Sequence, residues 1–177
     1  MQLLRIVSKK KMKYTSEKVL ILLIVALLKI HISGCATIQK VWEKTRGKQF
    51  EKQIRTREEA AKSYGYKGLT DELIVEPPII IPHVVGPGDK VKQELQFTLL
   101  SPKEERRFKV IKITDISIGK DTIELARRKS EMTQGTHISI LQFILPKDIE
   151  AGEYKITTSL SNEKQKKIVH GRLKVKR

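Results

Sequence analysis

The chain has 177 residues, with 36 Lys and Arg against 20 Asp and Glu, for a formal net charge of +16. That length has room for one domain and a tail, and a single cysteine excludes any internal disulfide. Aromatics are few and charges many, but Ile, Leu and Val recur in ordered clusters, which does not fit wholesale disorder and points to a modest core under a lysine-rich surface.

The first element is a basic stretch, Lys9-Lys10-Lys11-Met12-Lys13, followed by ten uninterrupted apolar residues from Val19 to Leu28. A run of that length matches the core of a signal peptide, about 7–15 residues, and is short of the ~17–25 that a spanning helix needs. It ends in Ile32-Ser33-Gly34-Cys35. These four residues resemble, position by position, the lipobox of bacterial lipoproteins: an aliphatic residue, two small ones and the cysteine. The resemblance implies diacylglycerol in thioether linkage on Cys35, cleavage after Gly34 and acylation of the new amino terminus. Several acyl chains anchor stably where one alone is marginal. It also implies a place in the cell envelope and, with Ala36 in place of Asp after the cysteine, the outer membrane facing the periplasm in a Gram-negative host. The competing reading is an uncleaved anchor from Val19 to about Ile32, with Lys29 snorkelling to the interface. Removal of residues 1–34 takes away seven bases and one acid and leaves a net charge of +10.

Residues 35–78 read as a lipidated, partly helical tether. Ile38, Val41, Trp42, Phe50 and Ile54 fall roughly on one helical face among many charges. Thr56-Arg57-Glu58-Glu59-Ala60-Ala61 has good helix propensity, and Tyr64-Gly65-Tyr66-Lys67-Gly68 breaks it. Trp42 and Phe50 are either a membrane-surface face near the anchor or part of a solvated helix. Glu76-Pro77-Pro78 closes the tether in an extended stretch.

From Ile79 the pattern becomes short apolar alternations between turn signals, which points to a sandwich or barrel over residues 79–177. Ile79-Ile80-Ile81-Pro82 reads as an edge strand, and Gly86-Pro87-Gly88-Asp89 as a turn. Val91, Leu95, Phe97 and Leu99 share one face of the next strand, with Gln93 the exception. Phe108, Val110 and Ile113 begin another. Residues 115–134 fit either one or two short strands or a charged helical turn from Ile123 to Met132. In Thr136 to Leu145 the apolar parity changes, and a bulge near Ile140 would reconcile it.

The most informative stretch is Ala151-Gly152-Glu153-Tyr154-Lys155-Ile156. It resembles the tyrosine corner of immunoglobulin and fibronectin type III domains, with Gly152 in the tight turn and the Tyr154 hydroxyl returning to the upstream backbone. The resemblance covers residues 79–177 and implies an all-β fold, an Ig-like antiparallel β-sandwich of about seven strands. Ile156 stands where antibody domains place their second cysteine.

His83, His137 and His170 have no second ligand two to four residues on, and no metal, phosphate-loop or nucleophile-elbow motif is present. The expectation is therefore no catalytic residues, no metal and no cofactor. Basic clusters at Arg106-Arg107, Arg127-Arg128-Lys129, Lys164 to Lys167 and Arg172 to Arg177 either gather into an anion-binding face or serve solubility and edge protection. On these residues the chain reads as a non-enzymatic envelope lipoprotein with an envelope-protein partner and no nucleic acid. The alternative is recognition of an anionic polysaccharide or lipid through a basic face.

Overall fold

The computed structural model describes residues 47–177. Cys35 and the Ile32-Ser33-Gly34 cleavage motif lie outside them, as does Trp42. Ten strands and one helix follow in order: β1 (Lys48–Arg55), α1 (Arg57–Tyr64), β2 (Glu72–Val75), β3 (Ile79–Ile81), β4 (Val84–Val85), β5 (Lys90–Leu100), β6 (Phe108–Ile118), β7 (Asp121–Met132), β8 (Gly135–Ile144), β9 (Gly152–Ser161) and β10 (Lys166–Val175).

Two sheets pack face to face. One has the order β1-β8-β5-β2, with β3 also on β5; the other runs β4-β10-β9-β6-β7. Only the β4–β10 pair is parallel. The fold is an all-β, Ig-like sandwich. β3, β5 and β8 take the places of strands A, B and E, while β6, β9 and β10 take those of C, F and G. The slot beside E, which strand D fills in a constant-type domain, is taken by β1 from the start of the domain.

That placement corrects the domain boundary. The sandwich does not begin at residue 79, because β1 and β2 are hydrogen-bonded members of its first sheet. Phe50 and Ile54 lie on a strand and not on a helix. The helical reading arose because the residues of β1 that face inward are Gln49 and Glu51, whereas Phe50 faces out. An inverted pattern of this kind cannot register as a buried strand by its apolar alternation. The helix that does form is α1. Its Thr56–Glu59 capping box satisfies the first turn, and Gly65 at φ 62° ends it while Tyr66 N–H donates to the Ala61 carbonyl at 2.9 Å. Ala60 is fully buried against the first sheet, so α1 is part of the domain.

The ambiguous stretch 115–134 is also settled. β6 runs on to Ile118, Gly119 (φ 57°) and Lys120 make a two-residue turn, and β7 returns as a full strand. Ile113 is half-buried on the outer face, and the inward residues of β6 are Phe108, Val110, Lys112, Thr114 and Ile116. No bulge occurs at Ile140, since β8 keeps register with β5 throughout. Its inward row is His137, Ser139, Leu141 and Phe143, and Ile138 and Ile140 face out. The irregularities lie instead in β1 at Ile54 and in β7 at Leu125.

Between the sheets the apolar core has two parts. One contains Val91, Ile116, Leu141, Phe143, Tyr154, Ile156 and Leu173. The other contains Leu73, Phe97, Leu99, Phe108, Val110 and Leu160. The Tyr154 hydroxyl donates to the Glu150 carbonyl at 3.0 Å across the β8–β9 connection. A Cβ on Gly152 would stand 3.0 Å from Ile118 Cδ1, so glycine keeps that approach close.

Candidate functional site

Lysines and carboxylates on a strand pair fold stably only where each is solvated or partnered. Five of the basic residues grouped in the sequence, Arg106, Arg107, Arg127, Arg128 and Lys164, are set by the fold against acids. Arg106 reaches Asp71 at 3.4 Å and Glu163 at 3.7 Å, Arg107 reaches Glu131 at 3.2 Å, and Lys164 reaches Asp71 at 3.0 Å. Asp71 is buried, which pushes its pKa up, but the Ser101 hydroxyl, Lys164 and Arg106 outweigh burial and hold the carboxyl below its usual value. Arg127 and Glu124 pair on β7 at 2.6 Å. The three histidines remain apart. His83 offers its backbone carbonyl to Lys174 N–H, His170 lies on the open face of β10 beside Thr157, and His137 is inside the sandwich.

The interior holds a second polar cluster that the sequence did not single out. Lys112 on β6 points between the sheets and is 2% exposed. Its Nζ meets the Glu51 carboxylate of β1 and the Ser139 hydroxyl of β8. The other Glu51 oxygen takes Arg128 Nε of β7 at 3.2 Å. Burial pulls the Lys112 pKa down and the hydrogen bond and charge of Glu51 oppose it, with the net below the ordinary lysine value. Next to it, His137 stacks on Phe97 with ring centroids 5.5 Å apart, and its Nε2 lies 2.9 Å from the Thr133 carbonyl. Burial drives the His137 pKa below its ordinary value. The ammonium is thus enclosed, with the Glu51 carboxylate and the Ser139 hydroxyl around it in place of solvent. It ties β1 into the sandwich.

The two outer faces differ. On the β10-β9-β6-β7 face, pairing aligns Lys166, Ser161, Ile111 and Lys129 in one row and Ile168, Ser159, Ile113 and Arg127 in the next. The following row holds His170, Thr157, Asp115 and Glu124. Bases, acids, hydroxyls and isoleucines are mixed there. The outer face of the first sheet is richer in lysine and large apolar residues. Phe50, Ile140, Glu94 and Ile79 form one row, and Lys48, Gln142, Lys92 and Ile81 form the next. Ile144 pairs with Lys90 beyond them, and Lys52 with Ile138 on the other side. Phe50, Ile79, Ile81 and Ile144 are each 43–58% exposed. The lone acid in these rows, Glu94, is paired with Lys92 at 2.8 Å.

A cleft of about 690 Å³ opens where the two sheets part between β1 and β7, lined by Gly47, Gln49, Leu125 and Arg128 among others. Arg128 there holds Glu51 and also donates to the Gln49 carbonyl at 3.1 Å, and Arg127 is paired with Glu124.

No protein-family model matches the chain, and no curated protein matches its sequence. Among solved structures it is similar to the CARDB domain of the PF1109 protein from Pyrococcus furiosus, solved in complex with di-metal ions. The identity is 15% and the TM-score 0.42, over 61% of this chain and 90% of that one. The sporulation control protein Spo0M from Bacillus subtilis is 16% identical with a TM-score of 0.42 over 59% of this chain. The alkylpurine DNA glycosylase AlkC from Pseudomonas fluorescens, bound to DNA containing an abasic site analogue, is 9% identical with a TM-score of 0.48 over 66%. The chain spans about half of Spo0M (49%) and a third of AlkC (34%).

Proposed function

We propose that this protein is a non-enzymatic lipoprotein of the bacterial cell envelope, anchored through lipid on Cys35, whose Ig-like domain is an interaction module. The observation that carries the reading is the position of the single cysteine, at the end of Ile32-Ser33-Gly34-Cys35 and behind a ten-residue apolar run with a basic leader. Only twelve residues, 36–47, separate Cys35 from the first strand. Fully extended they reach at most ~43 Å, so the sandwich stays close to the bilayer. In a Gram-negative host that bilayer is the outer membrane, with the domain in the periplasm.

The mixed face of β10, β9, β6 and β7 suits a protein partner, because its exposed Ile111 and Ile168 sit among hydroxyls and charges of both signs. The second reading, recognition of an anionic polysaccharide or lipid, is favoured by the lysines on the opposite face. The deciding experiment is the intact mass of the protein from the membrane fraction, beside a Cys35→Ser variant. The reading expects wild type to start at Cys35 with added acyl mass and the variant to keep residues 1–34. Wild type that retains residues 1–34 without lipid would overturn it.

A further inference from the structure

We infer that the outer face of the β1-β8-β5-β3 sheet lies flat on an anionic lipid surface, with Phe50, Ile140, Ile144, Ile79 and Ile81 against the headgroup boundary and Lys48, Lys52, Lys90 and Lys92 among the phosphates. This rests on the lipid attachment proposed for Cys35 and names the surface the anchored domain meets. Four observations carry it. Phe50 is opposite Ile140, with Ile138 and Ile144 on the same side of β8, and Ile79 and Ile81 stand one strand further across Glu94 and Lys92. An exposed apolar patch rimmed by polar groups marks an interaction surface.

The second observation is charge. Four lysines surround the patch against two acids, Glu94, which is paired with Lys92, and Glu76, which accepts from Gln96. Such a face is complementary to anionic headgroups, and each lysine near an anionic bilayer strengthens binding about fivefold. A second copy of this chain, docked face to face about a two-fold axis, would bring lysine against lysine. The third is the route of the chain. The segment leading from Cys35 enters the domain at Lys48, which belongs to this face, and its twelve residues span at most ~43 Å. The fourth is the contrast with the other sheet, whose outer rows mix acids, bases and hydroxyls and carry no aromatic residue. With the first sheet on the lipid, the mixed face is turned to the periplasm and open to a partner.

The test uses the protein purified from membranes and reconstituted into vesicles of phosphatidylcholine, with or without phosphatidylglycerol. Lysine acetylation is followed by mass spectrometry and compared with the same protein in detergent. The inference expects Lys48, Lys52, Lys90 and Lys92 to react about fivefold or more slowly in the anionic vesicles at low salt. Lys129, Lys155, Lys166 and Lys174 on the opposite sheet should be unchanged. High salt should restore the first four toward their detergent rates. A Phe50→Glu, Ile140→Glu variant with an unchanged thermal transition should lose most of the protection while staying in the membrane fraction. Equal rates for all eight lysines in vesicles and detergent would overturn the inference. Protection already present in detergent, with doubled molecular mass, would also overturn it and put a second copy on the face. Intact mass of the same sample reads the acyl groups separately, so a failure of lipid attachment is told apart from a failure of the face.

Discussion

The polar belt that divides the core is built in two ways at its two ends. On one side Gln93 Nε2 donates to Thr158 Oγ1 at 2.8 Å, and Thr158 and Thr114 share a hydroxyl contact at 3.1 Å. These are neutral groups on the three central strands β5, β9 and β6. On the other side Lys112, Glu51, Arg128 and Ser139 form a charged cluster that joins β6 and β7 to β1 and β8. The neutral side satisfies groups that would be buried anyway. The charged side fastens an edge strand whose own inward residues are polar. A strand that brings no apolar side chains between the sheets needs directional bonds to hold it, and the cost of enclosing Lys112 is offset only if every partner is in place.

Breaking the charged end gives the largest effect. Glu51→Ala removes the carboxylate and leaves the ammonium of Lys112 enclosed without a counterion, for a loss of about 3–5 kcal/mol in chemical denaturation. Amide exchange in β1 should rise with it, since β1 holds the sheet only through β8. A variant that unfolds like wild type would mean that Lys112 reaches water and the cluster is not enclosed. The sharper form of the comparison is the double change Glu51→Met, Lys112→Met. It removes both charges and fills their space, and stability should return to near or above wild type.

At the neutral end, Thr158→Val deprives the buried Gln93 amide and Thr114 hydroxyl of their shared partner. The expected loss is about 1–3 kcal/mol, the usual cost of unsatisfied buried polar groups. The denaturation slope should not change, because no strand is released. An effect as large as that of Glu51→Ala would erase the distinction between the two ends.

The same division explains what was legible in the sequence. β5, β9 and β10 were readable because Val91, Leu95, Phe97 and Leu99, then Tyr154, Ile156 and Leu160, alternate cleanly. Gln93 stood out as an exception in its row, and it is one end of the belt. The sequence of β1 reads as a tether because its inward Gln49 and Glu51 carry no apolar signal, and that of β7 is ambiguous because Arg127, Arg128 and Lys129 interrupt its few apolar residues. In the sequence Lys112 is one more base a few residues after Arg106 and Arg107. Only the pairing of strands far apart in sequence reveals that it is enclosed. The apolar outer face was hidden for the same reason, since Phe50 and Ile140 meet only when β1 pairs with β8. Cys35 is the opposite case: its local motif is legible in the sequence but lies outside the described residues.

The smallest effect belongs to His137, which borders the charged end and reports on it through pH. Burial lowers its pKa in the folded state, opposed by the Thr133 carbonyl and by Glu51. The unfolded chain, with His137 near its ordinary value of 6.5, therefore binds more protons below that pH. Stability contributed by the neutral ring is present above pH ~6.5 and is lost as the pH falls toward the folded value, with a slope of at most ~1.4 kcal/mol per pH unit for one proton. Denaturation midpoints measured from pH 7.5 to 5 should fall, and His137→Phe, which keeps the stack on Phe97, should flatten that part of the profile. A slope that survives His137→Phe would move the acid sensitivity to another group. In the Glu51→Gln background the slope should steepen, because the nearby negative charge that favours the imidazolium is gone, and that coupling ties the histidine to the charged end of the belt.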